Sequence, residues 1–181
     1  MSWTDTTQRS RKLYLVQGEF KVSEDPQDVI TTLVGSCVTA CLYDPIAKVG
    51  GMNHFLLPHG PCGGNDTLYG INQMELLING LLRMGARKYR MKSKLFGGNT
   101  ITAGLCDAGV RNAEMAETFL SDENIPCVAS ALRGTQAQRI QFHPATGRAR
   151  MKYIEDTFEG DRAQRPAPVA APVDSGVVEL F

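Results

Sequence analysis

Apolar and polar residues alternate along Lys12-Leu13-Tyr14-Leu15-Val16 and again along Phe20-Lys21-Val22, which predicts two short strands separated by Gln17-Gly18. Val29-Ile30-Thr31-Thr32-Leu33-Val34 is rich in β-branched residues, and Val38-Thr39-Ala40-Cys41-Leu42-Tyr43 reads as a further strand stopped by Asp44-Pro45. A strand over about 49–57 follows, then a Pro/Gly-rich loop over 58–67, long enough to border a site. The period then lengthens. Ile71, Met74, Leu77, Ile78, Leu81 and Leu82 share one helical face, with Gly85 as the stop. Residues 92–96 read as a strand ending at Gly97-Gly98, a pair whose small size suits a turn better than a substrate contact. A second helix takes Asn112 as its N-cap and buries Met115, Ala116, Phe119 and Leu120. Strands over 126–132, 139–142 and 148–154 complete the pattern, the last two joined by an Ala145-Thr146-Gly147 hairpin turn.

Two helices that do not alternate strictly with the strands argue against a doubly wound nucleotide-binding fold. They predict an α/β protein, a mixed β-sheet or β-sandwich with helices packed outside. The 181 residues suit one globular domain, of which 43% of positions are hydrophobic. Residues 1–11 are polar and expected to be mobile, 12–155 form the domain, and 156–181 read as a flexible Pro/Ala-rich tail. The tail ends on the apolar Val177-Val178-Glu179-Leu180-Phe181, which is expected to fray or pack weakly rather than to dock a partner.

Nineteen basic and nineteen acidic residues cancel, so global charge points to neither nucleic acid nor an anionic membrane. No apolar run approaches the roughly 20 residues a membrane-spanning helix needs, so no membrane insertion is expected. The first residues lack the basic and apolar regions of a secretory signal, and the expected location is the cytoplasm.

Five cysteines without a CxxC pair suit a reducing compartment, and Cys106 and Cys127 read as packing thiols. Cys37 differs. It follows Gly35-Ser36, where a turn can aim backbone N–H groups at a developing oxyanion, and His54 comes seventeen residues later in Gly50-Gly51-Met52-Asn53-His54-Phe55. A strand-turn-strand path between them returns the imidazole to the thiol, which makes a nucleophile–base pair. Thr31 or Thr32 is placed to orient that imidazole, while Gly35, Ser36 and Asn53 are supporting candidates.

Competing chemistries carry less. Cys37, Cys41, His54, His59 and Cys62 could hold zinc, but their spacings match no familiar pattern, and no metal or cofactor is expected. His59 and His143 sit beside prolines in loop or hairpin positions and read as surface residues. Phosphate-binding glycine motifs are missing, and the five basic residues from Arg87 to Lys94 read as one solvated strand face.

The run from Thr31 through Gly35-Ser36-Cys37 to Asp44, with Gly50 to Pro58, resembles the signature of CheD, the chemoreceptor glutamine deamidases of bacterial chemotaxis. The likeness continues through Tyr69-Gly70, Lys94 to Gly98 and Gly109-Val110-Arg111-Asn112, and covers about 12–155. It implies a fold similar to that of toxins that deamidate glutamine. It also implies hydrolysis of glutamine side chains on receptor cytoplasmic helices, with action on glutamate methyl esters as a related activity. In an ungapped match Cys37 is the nucleophile, His54 the base and Thr31 the family threonine, with Thr32 beside it. A CheC-type phosphatase is an implied partner, and a non-catalytic adaptor that binds receptor or phosphatase is the alternative function. The chain departs from the family pattern at Arg133-Gly134-Thr135-Gln136 and Gln138-Arg139, away from the proposed catalytic residues.

Overall fold

The computed structural model describes residues 10–57, 65–100 and 108–154. The expectations for His59, Cys62 and Cys106, most of the Pro/Gly-rich loop, and the tail lie outside these residues. Nine strands and two α-helices are described.

Strands β1 (Arg11–Tyr14), β3 (Asp28–Val34), β8 (Gln138–His143) and β9 (Arg148–Tyr153) form one sheet in the order β1-β3-β8-β9. Strands β2 (Phe20–Ser23), β5 (Val49–Asn53), β4 (Val38–Asp44), β6 (Lys92–Gly97) and β7 (Cys127–Leu132) form the second in the order β2-β5-β4-β6-β7. Only β1–β3 and β6–β7 pair parallel, so both sheets are mixed. The expected mixed sandwich with outside helices is the observed architecture.

Strand alternation decides what each face buries. Ile30, Val34, Ile140 and Phe142 of the first sheet meet Cys41, Met52 and Phe96 of the second in the inter-sheet core. On the opposite face of the second sheet, Ala40, Leu42 and Leu95 pack under α1 (Asn65–Arg83) and α2 (Ala108–Asp122) through Met74, Leu77, Leu81, Ala116 and Leu120. The order is thus sheet, sheet, helices. Among the described residues, no helix is long and apolar enough to cross a membrane.

Several boundaries differ from the sequence reading for identifiable reasons. Asn112 is not an N-cap: α2 begins at Ala108, and Asn112 is fully buried inside it. Leu82 lies off the buried stripe of α1 and is 40% exposed, because the neighbouring Leu81 takes the core position. Gly85 ends the helix as expected, at φ +91°. The basic run does not form one strand face. Its first half is a 3-10 turn (Lys88–Arg90), and Arg90 reaches 2.7 Å to the fully buried Asp44. Cys127 is exposed at the start of edge strand β7, not packed in the core. Strand β1 starts at Arg11, whose guanidinium grips the buried Asp28 at 2.6 Å.

Candidate active site

The site begins with backbone. Strand β5 stops at Asn53, so His54 lies one residue beyond it rather than within a longer strand. There its N–H donates to the Glu19 carbonyl and its own carbonyl accepts from Gly18. The next residue, Phe55, exchanges two 3.0 Å hydrogen bonds with Val38, the residue after Cys37. This one bridge sets the nucleophile candidate and the base candidate side by side on neighbouring chain segments.

The turn Gly35-Ser36-Cys37 is braced from behind. Gly98 donates to the Cys37 carbonyl at 2.8 Å and Asn99 to the Gly35 carbonyl at 2.9 Å. Gly97 and Gly98 have φ of +98° and +62°, and a Cβ on Gly97 would stand 2.2 Å from the Cys37 carbonyl oxygen. The glycine pair is therefore required by both backbone conformation and close approach. Asn112 completes the brace: its Nδ2 donates to the Ser36 carbonyl at 2.9 Å and its Oδ1 accepts from Leu57 at 2.7 Å. One buried amide thus ties α2 to the segments of both candidate residues.

Among side chains, the Thr32 hydroxyl is 2.8 Å from both the Leu15 carbonyl and His54 Nδ1. A hydroxyl has one hydrogen, and the Leu15 carbonyl can only accept it. Nδ1 must then donate to Thr32, which leaves the lone pair on Nε2. That nitrogen is buried and, among the described residues, has no hydrogen-bond partner. Burial lowers the His54 pKa to about 4, so the imidazole is neutral at ordinary pH. Burial also pushes the Cys37 thiol up, partly offset by its own backbone N–H. The resting pair is a neutral thiol and a neutral imidazole.

Cys37 Sγ contacts Gln17 Oε1 at 3.5 Å, and no hydrogen bond joins it to His54. Thr31, the ungapped family position, faces the other side of β3, and among the described residues its hydroxyl has no partner. Asn53 also turns away from the thiol: it accepts from Ala40 N at 2.9 Å and reaches α1 at the Gln73 carbonyl. Its role here is to seat β5 on β4 and the helix. Cys41 is fully buried, with its thiol raised by burial, and among the described residues no group of three His, Cys, Asp or Glu side chains could hold a metal.

Sequence reasoning did not single out Gln17 or the bracing role of Asn112. Gln17 read only as the end of a strand. Asn112 carried a signal, a polar residue in register with the buried face of Met115, Ala116 and Phe119.

A family model described as "CheD chemotactic sensory transduction" matches residues 56–153. A "Probable chemoreceptor glutamine deamidase CheD" of a Caulobacter species is 49% identical over 174 residues, covering 94% of this chain and 93% of that protein. A protein of the same description from Acidiphilium cryptum is 49% identical over 179 residues, covering 95% of this chain and 94% of its own. Among solved structures, the hypothetical protein YfiH of Bacillus licheniformis matches 64% of this chain and 51% of its own, at a TM-score of 0.42 and 14% identity. That likeness is too remote to bear on the chemistry. The relatives, unlike the family-model match, extend across Cys37 and His54, and with both in agreement this chain belongs to the CheD family of chemotactic sensory transduction.

Proposed function

We propose that this protein hydrolyses the side-chain amide of glutamines on chemoreceptors, leaving glutamate and releasing ammonia, with Cys37 as nucleophile and His54 as base. The observation that carries the reading is the buried Nε2 of His54, unpartnered among the described residues while Nδ1 is committed to Thr32. An unpartnered buried acceptor is costly unless it has work to do. Its position one bridge away from Cys37 supports that work being proton removal from the thiol.

The reaction follows from the neutral pair. When a substrate carboxamide displaces Gln17 from the thiol, the Cys37 proton passes to Nε2 and sulfur attacks the amide carbon. Backbone N–H groups of the braced turn, that of Cys37 among them, face the oxyanion. The imidazolium returns its proton to the departing ammonia, and a thioester remains. Water, deprotonated by the same nitrogen, cleaves the thioester and restores the thiol. Thr32 holds the imidazole through both half-reactions, the role the ungapped match gave to Thr31. Methyl esters of glutamate pose the same acyl-transfer problem with methanol leaving, so the site would serve them too. The active location is the cytoplasmic side, where receptor helices are reached.

A second reading is an adaptor that binds receptor or a CheC-type phosphatase without turnover. It is favoured by one observation, the thiol resting on Gln17 rather than on His54. Intact-mass analysis of a chemoreceptor cytoplasmic fragment separates the two. Incubation with this protein should add about one mass unit per modified glutamine, as an amide nitrogen becomes an acid oxygen. Cys37→Ala should bind the fragment and add none. No gain with the native protein despite binding would select the adaptor.

A further inference from the structure

The outer face of the four-stranded sheet is a broad surface that no described helix covers, and its residues follow from alternation. On β8, Arg139, Gln141 and His143 point outward, opposite Lys152, Arg150 and Arg148 of β9. Lys12 adds a cation from β1. None of the outward positions on these four strands is Asp or Glu. In a chain of zero formal net charge, this basicity is local.

Toward the catalytic end the face turns apolar. Tyr14, Val16 and Leu33 are 69%, 59% and 52% exposed, and they rim a cavity of about 360 Å³ whose wall includes Lys12 and Arg139. Thr31 also lines it. That side chain is 8% exposed, yet its hydroxyl has no hydrogen-bond partner. The cavity thus offers an apolar rim beside two cations. Val16 adjoins Gln17, and Leu33 lies two residues before Gly35, so the rim runs into the lip of the thiol site.

We infer that this face docks an acidic amphipathic helix of the substrate protein, alongside the thiol; the inference rests on the deamidase reading above. An acidic stripe would lie over Lys12, Arg139, Arg148 and Lys152, and the adjoining apolar stripe would seat on Tyr14, Val16 and Leu33. The chemistry gives the charge a purpose. Each turnover converts a neutral carboxamide into a carboxylate, so a processed helix is one charge more negative. A basic surface set beside the thiol holds such a helix more tightly, and favours modification of a neighbouring glutamine before release.

The test pairs binding with turnover on a labelled chemoreceptor cytoplasmic fragment. Arg139→Glu with Lys152→Glu leaves Cys37, His54 and Thr32 untouched. The double variant should weaken fragment binding and raise KM roughly tenfold or more, keep kcat within about twofold, and flatten the salt dependence of binding. Turnover of a short unstructured glutamine peptide should not change. Arg139→Gln with Lys152→Gln should fall between, and thermal melts confirm that each variant folds. Unchanged or tighter fragment binding in the Glu variant overturns the inference, including where a dimer of this chain dissociates instead. If the native protein binds through this face but adds no mass, the deamidase reading fails and the docking surface stands. Normal turnover with an unaffected variant fails the surface alone.

Discussion

Thr31 and Thr32 are one bond apart in sequence and face opposite worlds. Thr32 stands between Leu15 and His54, whereas Thr31 faces the side of the sheet that no described helix covers. A hydrogen bond that supports a group while it is charged is worth about 1.5–3 kcal/mol, or roughly 10–100-fold in rate. Thr32→Val should therefore lower kcat for ammonia release by about that factor, and Thr31→Val should leave kcat within about twofold. Equal losses from both would contradict the assignment. The thiol and the imidazole could be singled out in the sequence as a candidate pair, because Gly-Ser precedes the cysteine and the histidine lies on the next β-rich segment. The threonine was not. Two adjacent hydroxyls can be told apart only by knowing which side of β3 faces inward, and that register is fixed by Ile140 and Phe142 more than a hundred residues away.

Elements meet at Asn112, which anchors α2 to the turn before Cys37 and to the segment after His54. Asn112→Ala would strand the Ser36 carbonyl and the Leu57 N–H in the interior, at about 1–3 kcal/mol for each unsatisfied group. Urea unfolding should show a loss of about 2–6 kcal/mol, and activity at low temperature should fall with it because the turn that carries Cys37 loosens. Asn112→Asp, which keeps an acceptor for Leu57 but sets a buried carboxylate against the Ser36 carbonyl, should lose at least as much stability as Ala at neutral pH. The helix itself was readable from Met115, Ala116, Phe119 and Leu120. Its start was misplaced because asparagine is among the best N-caps, and nothing local distinguishes a capping amide from one buried to bridge two loops. Cys127 went astray for a related reason: an apolar neighbourhood in sequence does not tell an edge strand from a central one, and β7 is an edge.

At the scale of the whole molecule, protons couple to folding through a few buried groups. His54 titrates at about 4 in the fold against 6.5 when free, so the unfolded chain takes up a proton that the native site refuses. Stability should thus decline as pH falls from 6.5 to about 4, and His143, also lowered chiefly by burial, adds to the same trend. Burial pushes Asp44 up, but the backbone N–H groups of Ala47 and Arg87, the Arg90 guanidinium and the Ile46 N–H together hold it down at about 2, against 3.8 when free. Its contribution is present above 3.8 and lost as pH falls toward 2. Denaturant midpoints across this range should show two descending steps, and His54→Gln should flatten the upper one. A wild-type profile level between pH 6.5 and 4 would contradict a buried neutral imidazole. The bridge between Val38 and Phe55 bears on how such a site can change over time. Because two backbone hydrogen bonds hold the segments of Cys37 and His54 in register, the separation of these residues does not depend on the length of the hairpin that links them. Residues at its tip, such as the solvent-facing Ile46, are open to drift, insertion or a new recognition task while the reacting atoms keep their spacing.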